Sequence, residues 1–146
     1  MSITTTIAAI QTKNAAVTGM TSAPTAMPSA LNGTLLPIAL VWPGPATWNI
    51  AAMGLQRQER EYIVRVYVQP VGQGIAGPDA GYTACLALLE AVGQEYLKDI
   101  TFGSANIDTT LEMTDSGVLG GGPEMTWAEI GYWGFTYRLR IVEKSS

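Results

Sequence analysis

Histidine is absent from the 146 residues, cysteine occurs once, and charged residues make up 14% of the chain against 47% apolar ones. Each shortage excludes something. Without imidazole the chain lacks the commonest acid/base group near neutral pH and the commonest nitrogen ligand for metals. The lone Cys85 builds neither a disulfide framework nor a thiolate cluster, and among Tyr82, Leu86 and Leu89 it reads as a small buried hydrophobe. Long apolar runs are missing too: Leu35 to Trp42 is one strand long and carries Pro37, far short of the roughly 20 residues that cross a bilayer as a helix. Gln11, Lys13 and Asn14 interrupt the first apolar stretch, unlike a signal peptide, so the protein is expected to stay where it is made. A net charge of -4 repels phosphate backbones and anionic lipid alike, which argues against nucleic acid and membrane as partners. Ordinary soluble domains are about 25% charged, so this exterior is expected to be covered in part by another chain, making the protein a building block before an enzyme.

The length suits one domain with a single core. Ile3, Ile7, Ile10 and Val17 recur at helical spacing and predict a short N-terminal helix. Thr18 to Gly33 holds Gly19, Pro24, Pro28 and Gly33 without periodicity and predicts an extended loop. Leu35 to Trp42 predicts a buried strand, ended by Pro43-Gly44-Pro45. In Arg60 to Gln69, Tyr62, Val64, Val66 and Val68 alternate with Glu61, Ile63, Arg65, Tyr67 and Gln69, which predicts a strand with one core face. Asp79 to Lys98 sets Tyr82, Cys85, Leu86, Leu89, Val92 and Tyr96 at three- and four-residue steps, a long amphipathic helix. Ile107 to Met113 predicts a strand, Gly120-Gly121-Gly122 a flexible turn, and Trp133 to Val142 a closing strand with Trp133, Phe135, Tyr137, Leu139 and Ile141 on one face. The order predicts a single α+β domain over residues 1–146, with a mainly antiparallel sheet packed by the long helix.

The motif nearest to chemistry is Gly72-Gln73-Gly74-Ile75-Ala76-Gly77, a GxGxxG run between a strand and a helix with Asp99 downstream. A dinucleotide site needs the last glycine within the first helical turn, whereas Pro78 and Asp79 start the helix after Gly77, and Asp79 adds a negative charge beside the phosphates. The run therefore reads as a glycine-rich connection, with a small nucleotide-binding module as the alternative. Gly120 to Gly122 lacks the Lys-Ser/Thr of a phosphate loop, the carboxylates fall on polar faces or turns, and the serines lack an imidazole base. No residue is assigned to catalysis, to a cofactor or to a metal. Arg65, Arg138 and Arg140 lie on the non-core faces of the two strongest strands, a small basic patch if those strands are neighbours. Trp42 and Trp48 flank a Pro/Gly turn, where aromatic side chains act as loop anchors or contact hot spots. These five are the candidate interface residues.

A short helix, a Pro-rich loop running into Leu35-Leu36-Pro37-Ile38-Ala39-Leu40-Val41-Trp42-Pro43-Gly44, the strand Arg60-Glu61-Tyr62-Ile63-Val64-Arg65-Val66-Tyr67-Val68, the Asp79 to Lys98 helix and a terminal strand together resemble tail-terminator and neck proteins of long-tailed bacteriophages. The resemblance spans Ile3 to Val142 and rests on the order of segments. It implies a non-enzymatic virion protein, assembled in the host cytoplasm, that forms a homo-oligomeric ring, usually a hexamer. Such a ring caps the tail tube and joins it to the head-tail connector, and an extended segment such as Thr18 to Gly33 or Leu119 to Met125 reaches a neighbouring subunit. A tube or baseplate subunit is the related alternative, which would stack into long tubes.

Overall fold

The computed structural model describes residues 3–31, 33–50, 56–71, 78–99, 101–103 and 107–145. Among the described residues two helices and six strands follow one another as α1 (Ile3–Ala15), β1 (Ile38–Ile50), β2 (Gln56–Pro70), α2 (Pro78–Tyr96), β3 (Ile107–Asp115), β4 (Leu119–Gly120), β5 (Thr126–Trp127) and β6 (Ile130–Ser145), with a 3-10 turn at Pro123–Met125. The long strands lie in the order β1-β2-β6-β3, and β4 and β5 also pair with β6. Every strand-to-strand pairing is antiparallel, so the fold is α+β.

Alternation decides the register. Val64 opposes Tyr137 and Val66 opposes Phe135, so the apolar rows of β2 and β6 fall on one face. There Tyr62, Val64, Val66, Phe135, Tyr137, Leu139 and Ile141 are buried with Ala39 and Val41 of β1. Ile10 of α1 and Cys85, Leu88, Val92 and Tyr96 of α2 belong to the same cluster. Each such side chain contributes about 1.5–3 kcal/mol on leaving water. Slipping β6 by one residue would exchange this row for Arg138 and Arg140, which fixes the pairing.

The sheet is buried on both faces, contrary to the single core face expected of β2. Tyr67, on the opposite face, is fully buried in a second cluster with Ile38, Leu40, Met125 and Tyr132. Its ring meets Tyr132 and Trp127 edge-on at centroid distances of 5.5 and 5.9 Å. Leu31, Leu35 and Leu36 from one side and Leu119 from the other complete this cover over half of the outer face.

Pro43-Gly44-Pro45 does not end the first strand. β1 runs through it, because β1 lies at the sheet edge, where a missing N–H costs no ladder bond, and because the register shifts by one residue between Pro43 and Ala46. Gly44 is required in this bulge: a Cβ there would stand 2.9 Å from the carbonyl oxygen of Glu61. The free side of β1 is partly closed by the preceding segment. Ser22 bridges Ile38, Thr21 N donates to Pro37 O at 3.0 Å, and Ala39 N donates to Ser22 O at 3.0 Å. The described residues of this stretch, 18–31 and 33, otherwise hold turns and bends, and the predicted loop folds back on its own chain at Ser22.

The helices seat differently from their apolar spacing. In α1 the buried set is Thr6, Ile10, Gln11, Lys13 and Asn14, while Ile3 and Ile7 are only partly buried. Polar residues reach the core because each finds a partner. Gln11 Nε2 donates to Pro24 O at 2.6 Å and to Ala39 O at 2.8 Å, and Asn14 Nδ2 donates to Gln11 Oε1 at 2.9 Å. Asn14 Oδ1 accepts from Tyr96 at 2.6 Å and also from Tyr137. In α2 the buried row is Cys85, Leu88, Val92 and Tyr96, which leaves Tyr82 and Leu86 about half exposed. A second buried polar group closes the far end of the sheet. The Glu143 carboxylate accepts from the Tyr62 hydroxyl and, at 2.7 Å, from Gln58 Nε2.

Replacing Asn14 with Leu keeps the volume but strips partners from two buried phenols and Gln11, each group costing about 1–3 kcal/mol. Urea unfolding should show a loss of about 3 kcal/mol or more, with Asn14→Asp milder because it keeps the acceptor; a loss under about 1 kcal/mol for Asn14→Leu would refute the role. Burial, first among the causes, raises the Tyr62, Tyr96 and Tyr137 hydroxyls above the usual tyrosine value. Their neutral forms are favoured in the folded state, so this part of the stability is intact below about pH 10 and is lost as pH rises beyond it and the unfolded chain ionises. Phenolate absorbance should therefore rise steeply together with alkaline unfolding. Gradual ionisation of most of the six tyrosines while the protein stays folded would contradict it.

Candidate assembly surfaces

Of the five candidate interface residues, four share the outer face. β2 and β6 are neighbours, with Arg65 opposite Thr136 and Ile63 opposite Arg138, and Trp42 of β1 stands opposite Ile63. The Arg65 guanidinium lies over the Trp42 ring, 5.1 Å from its centroid, a cation–π pair between β2 and β1. Trp48 does not join them. The extra residue in the β1 bulge inverts the alternation, so Trp48 opposes Gln58 on the helix-bearing face, where it is 50% exposed.

The arginines do not form a basic patch. Arg138 Nη1 lies 3.4 Å from Glu61 Oε1, and Arg140 binds Glu59 through one nitrogen and Glu112, at 3.3 Å, through the other. Period-two spacing places Glu59 and Glu61 on the face that carries the arginines, so β2 supplies the countercharge for β6 and the open half of the outer face is a charge-balanced lattice. Beside it Pro45, Ala46, Thr47 and Arg60 border a shallow polar cleft of about 200 Å³.

Tyr82 and Leu86, which apolar spacing assigns to the core face of α2, stand outside the core. Tyr82 and Leu86 are about half exposed, and Leu97, just past the end of α2, is 85% exposed. On a helix these positions form one row, which continues through Gly93. The row ends at a cleft of about 410 Å³ between the end of α2 and β3, lined by Leu97, Phe102 and Met113 among others. α2 holds more apolar residues than one buried stripe accommodates, and that surplus is the signal for a second apolar row.

Cys85 is fully buried, and burial pushes its thiol up to about 11, which makes it a poor nucleophile at neutral pH. Among the described residues no group of three or more Cys, Asp or Glu is placed to hold a metal ion, and no helix is long and apolar enough to cross a membrane. The Gly72 to Gly77 run lies outside the described residues. Leu119 and Met125 pack into the second cluster of their own chain.

Because the Arg138–Glu61 pair is long and open to solvent at its arginine end, Arg138→Glu should lower unfolding stability by under about 1 kcal/mol, with the loss shrinking in high salt. A salt-independent loss several times larger would mean that the lattice is a structural core. The chain matches no family model and no curated protein.

Proposed function

We propose that this chain is a non-enzymatic virion subunit of a long-tailed bacteriophage, which assembles with copies of itself into a ring at the head-proximal end of the tail. As a tail terminator or neck component it caps the tail tube and joins it to the head-tail connector, acting by surface complementarity. The ring is a hexamer in this reading, assembled in the host cytoplasm. The helix α2 lies over the sheet as the cover of a rigid frame, and Trp42, Arg65, Arg138 and Arg140 on the outer face, with Trp48 on the other, are contact residues.

The observation that carries the reading is the exposed apolar row Tyr82, Leu86 and Leu97 on a chain with only 14% charged residues. A lone particle gains nothing by holding such side chains in water, whereas a subunit buries them against its neighbour. The order of segments, which resembles tail-terminator and neck proteins, supplies the particular kind of assembly.

Native mass spectrometry and negative-stain microscopy of the purified chain, alone and with tail-tube protein, test this. One closed ring that binds the end of the tube is expected. A strictly monomeric species indifferent to the tube would overturn the proposal, and long stacked tubes would make the chain a tube subunit instead.

A further inference from the structure

We infer that the Arg65 guanidinium, held over the Trp42 ring on the outer face, is a carboxylate-binding site, and that a neighbouring copy of this chain supplies the carboxylate from Glu124 or Glu129. The inference rests on the self-assembly reading and goes beyond it by naming the groups that one copy offers and the other receives.

Register leaves Arg65 without a countercharge. It stands opposite Leu40 on β1 and Thr136 on β6, with Ile63 and Tyr67 on either side of it along the same face of β2. The diagonal positions beside Ile63 are Trp42 and Arg138, the second a cation already tied to Glu61. None of these six is acidic, and among the described residues Arg65 enters no ion pair, whereas Arg138 and Arg140 are both held by glutamates. The donors here lack acceptors as well. Arg65 Nε and the Tyr67 hydroxyl are both buried without a hydrogen-bond partner, a condition that costs free energy until an acceptor arrives. Arg65 is only partly buried, so its guanidinium is open to an approaching group. A guanidinium held over an indole is restricted in orientation, and its planar fork suits a carboxylate that accepts two N–H bonds.

Charge selects the occupant. The site offers one unpaired cation, and the carboxylates of Glu59, Glu61 and Glu112 lie on the same face, so a polyanion such as a nucleic acid backbone is repelled while a single carboxylate is matched. This chain carries what the site lacks. Glu124, in the 3-10 turn, and Glu129, in the turn between β5 and β6, are exposed, and among the described residues neither enters an ion pair or a side-chain hydrogen bond. Their neighbours Met125 and Trp127 belong to the cover around Tyr67, so both carboxylates sit on the cover of the face that carries Arg65. Ala128 and Glu129 hold φ of 50° and 69°, the left-handed pair of a tight hairpin turn, and Ile130 beside them is 45% exposed. Such a tip brings an apolar side chain to Trp42 and Ile63 together with its carboxylate. Within one subunit the two cannot meet: Thr136, opposite Arg65, lies six residues along β6 from Ile130, about 20 Å of extended strand. Between copies the free guanidinium and the free carboxylate pair, and neither ion is buried alone.

Sedimentation equilibrium of the full chain tests this with Arg65→Gln, with the double variant Glu124→Gln, Glu129→Gln, and with all three changes combined. Arg65→Gln and the glutamate variant should each weaken self-association about fivefold or more at an unchanged melting temperature, with the difference from wild type shrinking in high salt. The combined variant should be no weaker than either, because one contact is broken once. Arg65→Lys, which keeps the charge and loses the fork, should weaken assembly too. Assembly indifferent to Arg65→Gln would overturn the site while leaving the self-assembly reading intact. A loss with Arg65→Gln that the glutamate variant does not share, or losses that add in the combined variant, would overturn the assignment of Glu124 and Glu129 as the carboxylate source. A wild-type chain that stays monomeric at every concentration would remove both readings.

Discussion

The carboxamide of Asn14 is the junction on which the helix-bearing side of the fold depends. Through it α1 is joined to α2 by Tyr96 and to β6 by Tyr137, and through Gln11 to β1 and to the segment that covers the β1 edge. A buried amide held by three polar neighbours admits one geometry, whereas an aliphatic side chain tolerates several. That difference explains how a helix with little apolar contrast between its faces holds a fixed position. Lys13 is accommodated in the same way, with its ammonium about 6 Å from the ring centres of Tyr96 and Phe102.

The second constraint is that the sheet is shared between two covers. On one face side chains of both helices join the strands in one buried cluster; on the other, two loop segments gather around Tyr67 and leave the rest to paired charges. The Pro43 to Ala46 bulge belongs to this arrangement. By adding a residue to β1 it bends the strand where the outer cover ends and sends Trp42 and Trp48 to opposite faces. An edge strand carries such an irregularity at low cost, whereas the central β2 and β6 could not.

How much of this was legible in the residues follows from which forces act locally. The alternation in Arg60 to Gln69 and Trp133 to Val142 matches β2 and β6 on their inner face, because burial on a pleated strand imposes period two directly. Tyr67 escapes that logic: its cover comes from residues that are remote in sequence, and no local period announces them. The phase of α2 was ambiguous because Tyr82, Leu86 and Leu97 compete with Cys85, Leu88 and Val92 for the same apolar weight, and only the partner surface decides between them. Gln11 and Asn14 looked like interruptions of an apolar helix, since a polar residue's burial depends on partners more than twenty residues away. Of the candidate interface, Arg65, Arg138 and Arg140 do share a face, but their countercharges follow from register, which spacing alone does not supply.

The position of β6 carries a consequence for how the molecule comes into being. It is the last of the six strands in sequence, yet it lies inside the sheet, and Tyr137 reaches back across 123 residues to Asn14. During synthesis the β1–β2 ribbon and both helices emerge before the strand that completes their core, and they wait with apolar surface uncovered. Until β6 is made, the apolar row of β2 lacks the strand that completes its core, so burial of that row depends on the strand that emerges after all its sheet neighbours.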